Sequence, residues 1–318
     1  MTGLTWKPVE GDAGAIIGPD GRAIARYDYG SAANNPYFSE ITPLDHRGVI
    51  TNHAPWDHSW HHGLWWSWKF VNDILFWEDN PDFGGNRAGL GRAVVTDHRV
   101  GTGNSRTAGG TIALDETLEW RVDATSQVLM DERRRMHLQV DEHLKDSWRI
   151  DWQHEWTARV DCRLEVTPYP EHWWGGYAGL NLRAARSMRD GERIASAGDR
   201  VGREAVHGEP ASWASYSGNV DGSGTDDPAH PARATFAIFD HPANALPMSV
   251  YVFSAQDDFG FLASAPLMHE SLQLAAGQKL VLQYRTSISG SDPTPSELDS
   301  VSATYRDTPT TWKDSLEA

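Results

Sequence analysis

The sequence predicts an all-β protein, a large antiparallel sandwich with few short helices, and three observations carry that expectation. Strand-sized apolar runs alternate with Gly, Pro, Asn and Asp turn signals along nearly the whole chain. In the longest runs the apolar residues recur at every second position, the spacing of a strand with one buried face. Long helical periods are absent, and no repeat of ~20–50 residues interrupts the pattern. The 318 residues can bury a large core, and all-β folds of this length often form one domain, so residues 1–318 are expected to form one.

Taken in order, Ala15-Ile16-Ile17 and Ala23-Ile24-Ala25-Arg26-Tyr27 flank Gly18-Pro19-Asp20-Gly21-Arg22, the composition of a hairpin turn. Asn34-Asn35-Pro36-Tyr37-Phe38 breaks regular structure, Ile41 to Ile50 is expected to be extended, and Phe70 to Trp77 is another apolar run. A meander follows from Gly89 to Val166, with strands expected over 93–100, 108–122, 127–140 and 148–166. Alternation in the last of these places Trp148, Ile150, Trp152, His154 and Trp156 on one face. Met130 to Met136 carries Asp131, Glu132, Arg133, Arg134 and Arg135 and is expected to be an exposed strand. Prolines and glycines between Pro168 and Arg183 force irregular backbone, which presents Glu171, His172, Trp173 and Trp174 from a loop. Residues 187–232 are poor in apolar side chains and read as a long connection, with Trp213-Ala214-Ser215-Tyr216-Ser217-Gly218 inside it. Strands resume over 234–239, 248–253, 259–263 and 280–288, and a short helix is expected after Asp292.

Composition excludes several function classes. A net charge of −16 with no basic run argues against nucleic acid, because nothing is available to neutralise phosphates. One cysteine, Cys162, excludes an internal disulfide and leaves too few thiolates for a zinc ribbon or an iron–sulfur cluster. No run of about eighteen apolar residues is present to cross a membrane. Met1 to Pro8 lacks the apolar core of a signal peptide, so the expected location is the cytoplasm.

Function points to His53-Ala54-Pro55-Trp56-Asp57-His58-Ser59-Trp60-His61-His62-Gly63-Leu64-Trp65-Trp66-Ser67-Trp68. Four histidines, one carboxylate and five tryptophans fall in this stretch, more than core packing requires. Imidazoles titrate near neutrality and indoles offer flat apolar faces with one polar edge, a combination suited to a cleft that holds a small molecule and moves protons. The loop around Glu171, His172, Trp173 and Trp174 repeats it.

The blocks Asn35-Pro36-Tyr37-Phe38, Pro55-x-Asp57-His58-x-x-His61-His62-Gly63-Leu64, Trp174-Gly175-Gly176-Tyr177-Ala178-Gly179-Leu180, Trp213-x-x-Tyr216-Ser217-Gly218 and Asp240-His241-Pro242-x-Asn244 span most of the chain. In this order they resemble the bacterial proteins called methane oxygenase PmoA-like; the methane chemistry in that name would require a membrane-embedded subunit, and the chain has no span. More distantly, His61-His62-Gly63-Leu64, His172, and Glu270 before Leu274-Ala275-Ala276-Gly277 are similar to the ordered His, His and Glu blocks of aldose 1-epimerases of the galactose-mutarotase type. That resemblance implies a β-supersandwich and sugar chemistry, a fold that also hosts lyases and phosphorylases.

Acid–base chemistry on a sugar needs groups on either side of a ring atom with pKa values held apart. The resemblance implies His172, beside Glu171, as the acid and Glu270 as the base, with His61 completing the catalytic set. His53, Asp57, His58, His62, Trp60, Trp66, Trp173, Trp174, Arg183, Trp213 and Tyr216 are expected to bind the substrate, and adjacent His61 and His62 should point to opposite faces. The expected function is a carbohydrate-active enzyme working by epimerisation, elimination or hydrolysis on a sugar or oxidised sugar, without a cofactor. Two alternatives stay open: a non-catalytic sugar-binding protein, and a metal-dependent hydrolase or oxygenase holding a divalent ion at His53, Asp57, His58 and His61.

Overall fold

The computed structural model describes residues 3–79, 88–105, 109–167, 176–222, 231–254 and 259–309. The chain is mostly β, with three antiparallel sheets, as the alternation predicts. The largest has nine strands, in the spatial order Arg200–Val201, Arg193–Ser196, Trp213–Asn219, Arg233–Asp240, Lys279–Ser289, Ser147–Ala158, Val128–Asp141, Gly109–Val122 and Gly91–Ser105. The second has eight, in the order Thr5–Val9, Ala13–Ile17, Ala23–Asp28, Tyr37–Ser39, Leu64–Trp68, Ala178–Arg183, Phe261–Ala263 and Tyr251–Phe253. A third joins Leu272–Leu274, Cys162–Glu165, Phe70–Val71 and Ile74–Leu75.

The two large sheets share one buried cluster. Trp148, Ile150, Trp152 and Trp156 of the nine-stranded sheet meet Tyr27, Phe38, Leu64, Trp66 and Trp68 of the eight-stranded one. The hairpin around Gly18 to Arg22 forms as expected, with Ala15 opposite Arg26. The helix Pro295–Arg306 starts at a capping box: Thr294 accepts from the Glu297 amide, Glu297 reaches back to the Thr294 amide, and Pro295 follows at the first turn. Leu298, Val301 and Tyr305 of this helix cover Trp213, Ala237 and Phe239 on the outside of the nine-stranded sheet.

Four expectations need correction. Ile41 to Ile50 forms no regular strand, although both end residues are buried. The run from Trp148 leaves the nine-stranded sheet after Ala158, and Cys162–Glu165 pairs in the third sheet instead. The 187–232 connection contains three strands among its described residues; its Ala, Ser and Gly content hides them, because their pairing is set by neighbours rather than propensity.

The charged strand over Met130 to Met136 is not exposed. Alternation turns Glu132 and Arg134 inward with Met130, Met136 and Leu138. Their burial is tolerated because the charges are paired and bonded. Glu132 accepts from Arg134 Nε (2.8 Å) and Trp120 Nε1 (2.9 Å) and bonds His154 Nδ1 (2.7 Å). Burial alone would raise the Glu132 pKa, but the Arg134 charge and the His154 bond hold it down at about 2.

Candidate active site

The His/Trp stretch folds into a closed loop beside the eight-stranded sheet. His53 and His62 form an isolated antiparallel bridge, and the Ala54 amide donates to the His61 carbonyl (2.7 Å). Inside the loop the His58 and His61 amides donate to the Pro55 and His58 carbonyls. Gly63 then turns the chain into the strand Leu64–Trp68: its φ is +95°, and a Cβ there would stand 2.6 Å from the Phe38 carbonyl oxygen. Ala54 is also left-handed, at φ +45°, a strained conformation for a residue other than glycine.

Asp57 is the hub. Its Oδ2 accepts from Arg183 Nη2 (2.5 Å) and lies 2.8 Å from His58 Nδ1, while Oδ1 accepts from Arg186 Nη2 (2.9 Å). Arg183 closes the strand Ala178–Arg183, which pairs with Leu64–Trp68, and its own amide donates to the Gly63 carbonyl (2.7 Å). The guanidinium is almost wholly buried, stacked 3.9 Å from the Phe259 ring centroid. Partial burial would raise the Asp57 pKa, but the bonds from His58 and Arg183 and the Arg183 charge hold the carboxyl well below the usual range.

The same guanidinium reaches His61, where Arg183 Nη1 donates to Nδ1 at 3.2 Å. His58 and His61 are stacked, with ring centroids 4.7 Å apart and planes 21° from parallel. Their partners fix opposite tautomers. An ionised carboxylate only accepts, so His58 carries its proton on Nδ1 and presents the Nε2 lone pair. A guanidinium only donates, so His61 Nδ1 is the acceptor and its proton is on Nε2. Burial, and next the neighbouring His58 and Arg183, push the His61 pKa far below its ordinary value; burial also lowers that of His58.

Aromatic rings surround the pair: Trp60 meets His58 edge-on at 5.3 Å, and Trp65 and Phe261 lie 5.2 and 5.5 Å from His61. His62 points elsewhere, as adjacent residues should. It stacks on Tyr37 at 4.6 Å, with His53 on the same ring at 4.9 Å, and burial holds its pKa at about 3. A buried ion pair joins Lys69 to Glu78, with the Lys69 ammonium 4.6 Å from the Tyr177 ring centroid.

On the solvent side lies an open cleft of about 470 Å³, lined among others by Thr51, Asn52, His53, Trp56, Arg186 and Asp221. Trp56 is 85% exposed, and the Arg186 guanidinium stands 5.7 Å from its ring centroid. Asp57 joins cleft to interior, because it binds Arg186 at the rim and Arg183 and His58 behind it.

The structure thus brings together His53, Asp57, His58, Trp60, His61, His62 and Arg183 among the expected site residues. Others lie apart. Trp66 faces the core between the sheets, packed on Trp68, His154 and Trp156, because alternation along Leu64–Trp68 turns Trp65 outward and Trp66 inward. Trp213 lies beneath the C-terminal helix with Nε1 donating to Asp299 (2.7 Å). Tyr216 is buried, its hydroxyl donating to Glu192. All three side chains are fully buried. Glu270 is exposed in the turn after Phe261–Ala263 and makes no hydrogen bond or ion pair with the imidazole cluster. Glu171, His172, Trp173 and Trp174 lie outside the described residues. Among the described residues no three His, Cys, Asp or Glu side chains are grouped to hold a metal ion.

Several residues escaped the sequence reading. Trp56 and Arg186 line the cleft, Tyr37 backs the second imidazole pair, and Lys69 and Glu78 form the buried ion pair. A signal for the last was present: Lys69 follows Leu64-Trp65-Trp66-Ser67-Trp68 and Glu78 follows Ile74-Leu75-Phe76-Trp77, lone charges at the ends of apolar runs.

No helix among the described residues is long and apolar enough to cross a membrane. The chain is similar in structure to a TPR-domain containing protein from Parabacteroides distasonis, at 10% identity and a TM-score of 0.35, covering 90% of this chain and 47% of that one. It is also similar to the alpha-galactosidase from Lactobacillus brevis, at 9% identity and a TM-score of 0.31, covering 89% of this chain and 39% of that one. It therefore spans less than half the length of either. No curated protein matches the sequence. Residues 17–303 match the family of unknown function DUF6807, and the chain belongs to that family.

Proposed function

We propose that this protein is a carbohydrate-active enzyme that uses acid–base chemistry on a sugar or oxidised sugar bound in the cleft beside Trp56. One observation carries the reading: two stacked imidazoles, locked in opposite tautomers by Asp57 and Arg183, lie behind an exposed indole platform. The Trp56 face suits the apolar face of a pyranose. Thr51, Asn52 and Arg186 supply hydroxyl, amide and guanidinium groups for the ring hydroxyls.

In this reading His58, 32% exposed and oriented by Asp57, is the proton acceptor. The base role passes from Glu270 to His58, which shares a hub with the cleft. A non-catalytic sugar-binding protein would use the same platform but would not need tautomers held by buried charge. The test is a panel of mono- and disaccharides, with binding followed by indole fluorescence and turnover by chromatography. Trp56→Ala is expected to weaken binding about 10-fold or more while leaving stability within about 0.5 kcal/mol, since an exposed ring contributes little to folding. His58→Gln is expected to abolish turnover and keep binding. Wild-type binding without turnover would favour the binding protein, and no binding at all would refute the proposal.

A further inference from the structure

We propose that a second cleft, between the Asp240-His241-Pro242-x-Asn244 turn and the end of the helix Pro295–Arg306, binds a small aliphatic amino-carboxylate, its ammonium on Asp240 and its carboxylate on Arg306. The cleft measures about 300 Å³ and shares no lining residue with the one beside Trp56, so the assignment does not rest on the sugar reading.

The turn is pinned on both sides. Asn244 Nδ2 donates to Asp240 Oδ1 and to the Gln283 carbonyl (2.7 Å each), and Asn244 Oδ1 accepts from the Gln283 amide (2.7 Å). The Met248 amide donates to Asp240 Oδ2 (3.1 Å), which fixes the carboxylate at the end of the strand Arg233–Asp240. His241 ties the turn to the chain beyond the helix. Its Nδ1 accepts from the Ala243 amide (3.2 Å), its Nε2 donates to the Thr308 carbonyl (3.3 Å), and its ring meets Tyr305 edge-on at 5.2 Å. Ser302 and Arg306 are thereby held on the helix wall of the cleft.

Two charges of opposite sign line this space without pairing with each other. Each Asp240 oxygen accepts one bond and has a lone pair to spare. Arg306 is exposed and makes no hydrogen bond or ion pair among the described residues. Burial pushes the Asp240 carboxyl up to about 6 against the lowering bonds from Met248 and Asn244, so a cation placed beside it would compensate a desolvated charge.

The lining selects among ligand classes. A purely anionic ligand would face Asp240 and a purely cationic one would face Arg306, whereas a ligand with both charges meets each group with the opposite sign. The remaining walls include Pro210, Pro242, Pro247 and Met248, saturated side chains that suit an aliphatic body. No aromatic ring lines the cleft among the described residues, so a pyranose has no platform of the kind Trp56 offers. A volume of about 300 Å³ is at the small end of ligand pockets and suits an amino acid better than a peptide or a nucleotide.

The test titrates the full chain with leucine and γ-aminobutyrate at mildly alkaline pH, where Asp240 is ionised, and reads binding by saturation-transfer NMR. Isopentylamine and isocaproate, which each keep one of the two charges of leucine, are the controls. At least one zwitterion is expected to bind with a Kd of about 1 mM or tighter and about 10-fold more tightly than either control, since one charge-assisted contact is worth about that factor. Arg306→Gln is expected to erase the advantage over isopentylamine, and Asp240→Asn the advantage over isocaproate. Trp56→Ala should leave binding of the zwitterion unchanged. Should Asp240→Asn fail to fold, Arg306→Gln decides alone, because an exposed arginine without a partner among the described residues contributes little to folding. Failure of both zwitterions to bind, a control that binds as tightly, or an advantage that survives these substitutions overturns the assignment. Loss of zwitterion binding in Trp56→Ala would put the ligand in the first cleft and overturn it as well.

Discussion

Asp57 tests how much the site depends on the acceptor oxygen shared by Arg183 and His58, through two substitutions. Removing the carboxylate in Asp57→Ala leaves Arg183, with 1% of its side chain exposed, without its anion. Breaking a fully buried pair costs ~3–5 kcal/mol; Asp57 is 20% exposed and Arg186, at 51%, can turn to water, so about 3 kcal/mol is expected. Asp57→Asn should cost far less. Its amide oxygen can take the Oδ2 position, accepting from both Arg183 and His58, while the NH2 displaces only the half-exposed Arg186, for about 1 kcal/mol. Urea unfolding followed by indole fluorescence gives both values, provided the slope m is unchanged. If Asp57→Ala is no less stable than Asp57→Asn, the acceptor at Oδ2 contributes nothing and Asp57 does not set the His58 tautomer.

Other expectations concern the rest of the fold. Burial holds His154 at about 4, and Glu132 is held at about 2, so the unfolded chain takes up each proton at a higher pH than the folded one does. These two groups should therefore leave stability unchanged above about pH 6.5 and lower it as the pH falls toward 4, with His154 alone accounting for at most about 3 kcal/mol, while Asp240, raised by burial to about 6, acts in the opposite direction; in Asp240→Asn, which removes that offset, a urea midpoint constant from pH 7 to 4 would contradict this. Gly63→Ala places a Cβ 2.6 Å from the Phe38 carbonyl at φ +95°, so a loss of about 2–3 kcal/mol is expected, and a neutral result by thermal melting would mean the loop shifts freely. Lys69→Met strands the Glu78 carboxylate in the interior and should cost about 3–5 kcal/mol, whereas Lys69→Met combined with Glu78→Leu should recover most of it in the same assay. Additive losses in the double variant would argue that the two charges are stabilised separately.

The sequence by itself determined the strand class, because a two-residue period leaves a pleated strand little choice of face. It also fixed the hairpin at Gly18 to Arg22 and the helix start at Thr294, both set by residues within a few positions of one another. The density of imidazole and indole over residues 53–68 located the candidate site, since those side chains have few other reasons to crowd together. Tertiary structure alone decided what the site can do. Arg183 lies 126 residues from Asp57 and reaches it only because its strand pairs with Leu64–Trp68. Pairing across that distance depends on the whole sheet, and it sets which nitrogen of His61 carries the proton. The inward turn of Glu132 and Arg134 is similar: alternation allowed it, but their composition argued for the surface, and only Trp120 and His154 closing around them made burial stable. Local residues dictate the geometry of a strand, whereas the charge state of a buried group depends on partners brought in from far along the chain.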